Sequence, residues 1–285
     1  MNKMLTELPT HVISFGILSK KTSNVKVNTG LSPVNCRTGK VSIVHTIEIG
    51  QVQNMKSGIF VDDYIVLTDF ASKRIVKYNA SCVYQSELIL PKAVSDITRM
   101  EQNTVAVASY DVTDIYVINI TNMTLTKTIT TSVTLFGLQY VEGGFITAFN
   151  GTLTWMTKDG IKQNERKTNG DSFYICSFQK DSYISTDGKN AVSLFTKDAK
   201  RTFTYTSRSL SHPRGIDVDF EGNVWIVGYN SGNIHQLTNT GELVRIIPTA
   251  ELGINQPWIL RFKPRSATFL LTSYDSAKVL ICKVE

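Results

Sequence analysis

A ring of six similar four-stranded antiparallel sheets, an all-β six-bladed propeller closed by an N-terminal strand, is the architecture this sequence predicts. Three observations predict it. Thr, Val and Ile supply 83 of the 285 residues and Ala only 11, a balance that suits half-buried pleated strands and withholds the best helix former. A strand-and-turn unit recurs at roughly forty-residue spacing, the range of four-stranded propeller blades. The last unit stops one strand short, and a suitable strand stands ahead of the first.

The repeat is clearest when short β-rich runs are aligned on the turns that follow them. The runs begin at Ile65, Val105, Phe145, Tyr183, Val224 and Phe269, with spacings of 40, 40, 38, 41 and 45 residues. The fifth unit displays the internal grammar best. Gly215–Val218 forms an inner strand, Val224–Val227 a second, Ile234–Leu237 a third and Leu243–Ile247 an outer one. Each reversal between them falls on Gly, Asn or Asp, which tolerate left-handed backbone angles or make Asx turns. The first unit repeats the inner strand as Gly58–Val61, the third gives a third strand at Leu153–Met156, and the sixth opens at Trp258–Phe262 and ends with Val279–Val284. The alternation of Val41–Ile49 supplies the missing fourth strand, and pairing it there removes an open sheet edge. Residues 41–285 are then the propeller and residues 1–40 a basic leader, partly disordered or peripheral.

Charge follows the same division. The net charge is +6, but residues 1–40 carry six basic side chains against one acid, Glu7, and so hold +5 of it. The propeller is nearly balanced, which weakens a nucleic-acid reading of the whole-chain charge. No stretch reaches the 18 apolar residues a membrane helix needs, and His11–Leu18 lacks a following small-x-small cleavage site. A cytoplasmic protein without membrane association is expected. Cys36, Cys82, Cys176 and Cys282 stand far apart with no C-x-x-C pair, which argues for reduced packing thiols over a zinc finger or a disulfide scaffold.

The run His212-Pro213-Arg214-Gly215-Ile216-Asp217-Val218-Asp219, continuing through Gly222-Asn223-Val224-Trp225-Ile226-Val227 to Ile234, resembles an NHL repeat. The unit around Asp69-Phe70-Ala71-Ser72-Lys73-Arg74-Ile75 is similar to the degenerate repeats of invertebrate TRIM-like and B-box-type NHL proteins. The resemblance extends over about 240 residues as a period and is specific in the fifth unit; the third and fourth depart from it. It implies a six-bladed platform that binds proteins or structured RNA, often behind a RING, B-box and coiled coil. Neither a zinc-ligand cluster nor a heptad segment accompanies it here, so ubiquitin-ligase activity is not carried over.

Enzymatic readings rank lower. One NHL branch, similar to peptide-amidating lyase, uses several channel histidines on zinc. This chain has His11, His45, His212 and His235, and only His212 stands in a loop before an inner strand, where it reads as a fixed loop imidazole. A calcium-dependent lactonase-type hydrolase needs six or so oxygens at one channel mouth. Asp96 and Asp217 read as turn or channel residues, while Asp62, Asp63 and Asp219 fall at the opposite end. No catalytic set, cofactor or metal site is therefore expected.

The recurring position after the second strand carries the strongest candidates. Phe70, Tyr110, Tyr229 and Tyr274 share it in four units, and Asp111, Asn230 and Asp275 follow three of them. That turn opens on the same face as the loops between blades, so these aromatics are expected to ring one surface with Lys56, Lys73, Arg74, His212, Arg214 and Lys278 as neighbouring polar and cationic groups. Aromatic rings offer large contact area at low entropy cost to a peptide side chain or an unstacked base. The competing structural role is a wedge between blades, with the Asp or Asn capping the turn and Arg74 pairing with Asp69. Residues 158–214 hold eleven basic and six acidic groups, including Lys197, Lys200, Arg201 and Arg208. They read as a solvated outer face or, alternatively, as an RNA-binding sector. The leading expectation is a non-enzymatic adaptor or substrate-recognition platform for a protein or peptide ligand. Binding of structured or single-stranded RNA on the same face is the alternative, and a metal-dependent lyase or hydrolase the third.

Overall fold

Strands form wherever the β-branched runs lie between Gly, Asn and Asp turns, and they assemble into six separate four-stranded antiparallel sheets. The computed structural model describes residues 35–285 except Asp111, Asn169, Lys180 and Ala199. Blade 1 contains β2 (Gly58–Val61), β3 (Tyr64–Asp69), β4 (Arg74–Asn79) and β5 (Tyr84–Ile89). Blade 2 contains β6 (Val94–Glu101), β7 (Thr104–Ser109), β8 (Asp114–Asn119) and β9 (Thr124–Thr130). Blade 3 follows with β10 (Gly137–Val141), β11 (Gly144–Phe149), β12 (Thr152–Thr157) and β13 (Lys162–Lys167). Blade 4, whose inner strand is the shortest, has β14 (Ile175–Ser177), β15 (Ser182–Thr186), β16 (Ala191–Thr196) and β17 (Arg201–Thr206). In blade 5, β18 (Pro213–Val218), β19 (Val224–Gly228), β20 (Asn233–Leu237) and β21 (Leu243–Pro248) match the strands expected there to within two residues at each end. A single 3-10 turn, Thr249–Leu252, leads to blade 6.

Blade 6 combines β22 (Pro257–Phe262), β23 (Thr268–Ser273) and β24 (Lys278–Val284) with β1 (Val41–Glu48). The pairing of β1 with β24 runs antiparallel from Val41 opposite Val284 to Glu48 opposite Lys278, with a bulge between Ile43 and His45. The N-terminal strand closes the ring as the alternation predicted. Each innermost strand touches the innermost strand of both neighbouring blades, β22 touching β2 included, so the ring is continuous.

Two further devices join blades 1 and 6. Lys56 is fully buried, and its ammonium donates to the carbonyls of Gln51 (2.9 Å), Asn54 (3.2 Å) and Ser276 (3.1 Å). Its own carbonyl accepts from Thr272 Oγ1 at 2.8 Å. Ile47 is 4% exposed opposite Val279, in an apolar cluster that also holds Ile49, Phe60, Leu270 and Ile281.

The packed body begins before Val41. Residues 35–40, which the charge pattern assigned to the leader, fold as a turn against blade 5. Gln236 Nε2 and Arg245 Nη2 donate to the Cys36 carbonyl at 2.8 and 2.9 Å, and Arg245 Nη1 donates to the Gly39 carbonyl at 2.6 Å. Cys36 is buried beside the β18–β19 turn, where the Asp219 carboxylate accepts from the Glu221 and Asn223 amides and, at 2.8 Å, from Trp225 Nε1. The turn needs Gly222 because its φ is +84°. Residues 1–34 lie outside the described residues.

Two expectations follow from closure. Ile47→Ala is expected to cost about 2–5 kcal/mol, as much as Leu270→Ala in the middle of blade 6; urea denaturation measures both, and a cost near zero at Ile47 would show that β1 is dispensable. Burial lowers the Lys56 ammonium to about 8, against the partial opposition of Asp69 and Asp275. Between pH 8 and the ordinary lysine range the unfolded chain holds the proton that the folded chain has lost, so stability rises with pH in that window. The wild type is expected to gain stability relative to Lys56→Met between pH 8 and 10 and to show a constant difference below it; parallel unfolding series read the sign.

Candidate binding face at the channel mouth

Four backbone bonds put the recurring aromatics in one place. The amides of Phe70, Tyr110, Tyr229 and Tyr274 donate to the carbonyls of Met55, Ala93, His212 and Gln256, each in the segment leading to its blade's inner strand. Gly188 repeats the bond to Asp171 in blade 4. The second-to-third-strand turns therefore sit beside the channel mouth, and four of the expected residues occupy equivalent places there.

Register identifies a second set. Gly58, Ile97, Leu138, Ile175, Ile216 and Leu260 occupy matched positions on the inner strands, opposite Leu67, Val107, Thr147, Ser185, Ile226 and Leu271. Two residues earlier stand Lys56, Ser95, Phe136, Phe173, Arg214 and Trp258. Four of these side chains meet round the rim: Phe136 packs on Phe173 at 5.3 Å, and the Arg214 guanidinium lies 4.2 Å from the Phe173 ring and 4.8 Å from the Trp258 ring.

The two sets merge into one aromatic surface. Phe70 meets Tyr110 edge-on at 5.0 Å, Tyr110 meets Phe136 at 5.7 Å, and Tyr174 meets Phe136 at 5.3 Å. Tyr174 of the fourth blade reaches Trp258 of the sixth at 6.4 Å, across the channel. Trp258 then packs on Tyr229 at 5.2 Å and Tyr274 at 5.7 Å. Edge-to-face contacts of this kind add to apolar burial. Phe70, Tyr110, Phe173, Tyr229 and Tyr274 remain half-buried and so keep an open side. They both wedge the blades and present a surface.

The polar residues expected on this face divide in two. Lys56 is not a surface cation: three carbonyls hold its ammonium inside the seam between blades 1 and 6, where composition gave no reason to expect a charge. Arg74 is committed to Asp69 at 3.0 Å and Glu87 at 2.5 Å. His212 has φ +50°, and its Nδ1 lies 2.8 Å from Asn230 Nδ2, which leaves it holding the loop before β18. Asp275 accepts from Ser273 Oγ and, at 3.4 Å, from the Gln256 amide, capping its turn. Lys73, Lys278 and Asn230 are exposed; Asp111 lies outside the described residues.

Beneath the aromatics the channel holds charge. Asp96 of β6 is fully buried and accepts from Ser57 Oγ (2.6 Å) and the Ile97 and Leu138 amides (3.0 Å each). Arg261 of β22 lies 3.5 Å from it and donates to the Ile216 carbonyl at 2.8 Å, while Asp217 accepts from the Phe262 amide at 2.6 Å. Burial pushes the carboxyls of Asp96 and Asp217 above the usual range, and Arg261 pulls both back. With a guanidinium among them, these acids have partners already and make a poor calcium cage.

Metal-binding potential elsewhere is limited. Among the described residues the one compact group of three ligating side chains is Cys36, Asp219 and Glu221. Its carboxylates already accept from Asn223, Trp225 and backbone amides, and burial pushes the Cys36 thiol up to about 12, so it reads as a turn cap. Burial lowers His235, whose ring lies between Tyr205 Oη at 2.8 Å and the Ser209 carbonyl at 3.2 Å. Of the eleven cations in the stretch 158–214, three are ion-paired among the described residues: Lys162 with Glu165, Lys197 with Glu142 and Asp181, and Arg201 with Asp187.

No family description and no curated protein matches the sequence. Among solved structures, the chain is similar to the β-propeller domain of Cps50 (Swd1) from Myceliophteria thermophila, at 10% identity and a TM-score of 0.67, covering 86% of this chain and 100% of that one. At that identity the likeness is one of architecture: the chain is an all-β propeller of six four-stranded antiparallel blades.

Proposed function

We propose that this propeller is a non-enzymatic platform that binds a protein or peptide through its aromatic channel mouth, as an NHL-type adaptor or substrate-recognition module of the cytoplasm. The observation that carries the reading is the continuous aromatic surface from Phe70 to Tyr274, with half-buried rings contributed by five blades. Propellers commonly serve as interaction platforms, and large aromatics in partly sheltered positions are the residues on which binding energy concentrates. The NHL reading is supported by the run from His212 to Val227, which folds as loop, inner strand, Asx turn and second strand. A reducing compartment suits four cysteines that form no disulfide.

Charge favours protein over RNA. Of the cations expected at the mouth, Lys56 is buried and Arg74 is paired, which leaves Lys73, Arg214 and Lys278 spread over several blades. Phosphate-backbone recognition needs several adjacent free cations.

Selection of a displayed random-peptide library against the full chain tests the reading. Enriched peptides are expected to bind the Tyr229→Ala/Tyr274→Ala variant at least ten-fold more weakly, about 1.4 kcal/mol or more, and to bind Tyr64→Ala, altered at the opposite end of blade 1, as well as the wild type. Unchanged affinity in a variant that keeps its far-ultraviolet spectrum removes the aromatic face from the function. Tighter binding of a single-stranded RNA pool, falling steeply with salt, would replace protein with RNA as the ligand.

A further inference from the structure

Arg214 is the unusual member of the rim. Its guanidinium sits against three rings, those of Phe173 (4.2 Å), Trp258 (4.8 Å) and Tyr229 (5.8 Å), which belong to three consecutive blades. Such stacking satisfies the face of a guanidinium but none of its five N–H donors. Among the described residues Arg214 has neither a hydrogen bond nor an ion pair, and its Nε is sealed from solvent without an acceptor. Arg214 as a whole is partly exposed, and its terminal nitrogens, unlike Nε, keep contact with solvent. Tyr174 Oη and Trp258 Nε1, buried in the same aromatic cluster, lie close enough to influence each other.

From this arrangement we infer that Arg214, held flat by the rings of Phe173, Trp258 and Tyr229, is the receptor for a side-chain carboxylate of the protein partner. The inference rests on the platform reading above and names what the partner brings to it. A planar guanidinium receives a carboxylate through two parallel N–H···O bonds, and aromatic walls that exclude water strengthen the pair. Among the described residues Arg214 is the cation stacked on these three rings, and the acid Asp171 lies near enough to influence it. That suits a single negative charge better than a phosphate of nearly two, which calls for a second cation.

Two capped hexapeptides test it, identical except for one central Glu or Gln between leucines and tyrosines, with glutarate and inorganic phosphate as small probes at constant ionic strength. Fluorescence titration of the full chain reads peptide affinity, and thermal unfolding reads the small anions. The Glu peptide is expected to bind at least ten-fold more tightly than its Gln twin, and Arg214→Met to abolish that ratio. Arg214→Lys keeps charge without the fork and is expected to retain only part of it. Glutarate is expected to raise the melting temperature of the wild type more than phosphate does, with the shift lost in Arg214→Met and Arg214→Gln. Equal affinity for the twins, or a ratio that survives Arg214→Met, overturns the inference; so does a larger Arg214-dependent shift with phosphate. Twins that bind equally but lose affinity in the Tyr229→Ala/Tyr274→Ala variant leave the platform intact and remove only its acidic ligand.

Discussion

The pairing of β1 with β24 is the constraint on which the other geometry rests. Five sheets are made from consecutive strands, but the sixth takes three strands from the end of the chain and one from residues 41–48. Without that strand, blade 6 would expose the edge of β24 and the apolar side of Ile47 would have no place. Closure also sets the angles between blades. The Arg214 stack spans blades 4, 5 and 6, and the Tyr174–Trp258 contact crosses from blade 4 to blade 6. Contacts between elements so far apart in sequence hold only if the ring cannot open.

The channel is layered by polarity. Rings cover one mouth, and below them Asp96 and Arg261 are buried together with the partly exposed Asp217 beside them, and each charge depends on the others. Arg261 connects non-neighbouring blades 2 and 6, as Tyr174 and Trp258 connect 4 and 6. The deep layer is thereby a brace, and the rim is left for contact. Arg214 belongs to the rim by position and to the interior by environment, which is why an arginine there differs from one on an outer strand.

Much of this was legible in the residues. The forty-residue spacing, the strands of blade 5 and the closing strand all followed from β-branched runs punctuated by Gly, Asn and Asp. The shared place of Phe70, Tyr110, Tyr229 and Tyr274 followed from their common register, whereas Arg74, expected among the cations of that face, takes the competing role of pairing with Asp69. Phe136, Phe173, Tyr174 and Trp258 escaped because they precede or open the inner strands, outside the aligned second-strand runs. Bulges hid the match further: extra residues between Val94 and Asp96, Pro213 and Ile216, and Pro257 and Leu260 break simple counting. Lys56 escaped for a different reason. A lone lysine reads as solvent-facing, and only the convergence of three carbonyls from separate segments makes its burial tolerable. The turn at residues 35–40 was masked by its basic neighbours, since charge composition says nothing of a backbone that Arg245 and Gln236 bind.

The four thiols take on meaning from where closure leaves them. Cys36 sits in the turn against blade 5, Cys176 on the inner strand of blade 4 and Cys282 on β24 beneath the closing strand, all buried, whereas Cys82 at a blade 1 turn is partly open. Burial pushes the three enclosed thiols up, Cys36 and Cys282 to about 12, so almost none of their population is the reactive thiolate near neutral pH. Alkylation at each one would therefore keep time for a different motion: release of the N-terminal turn, loosening of the thinnest inner strand, or parting of β1 from β24. The sulfur atoms make the molecule its own set of clocks for how, and in what order, a closed ring comes open.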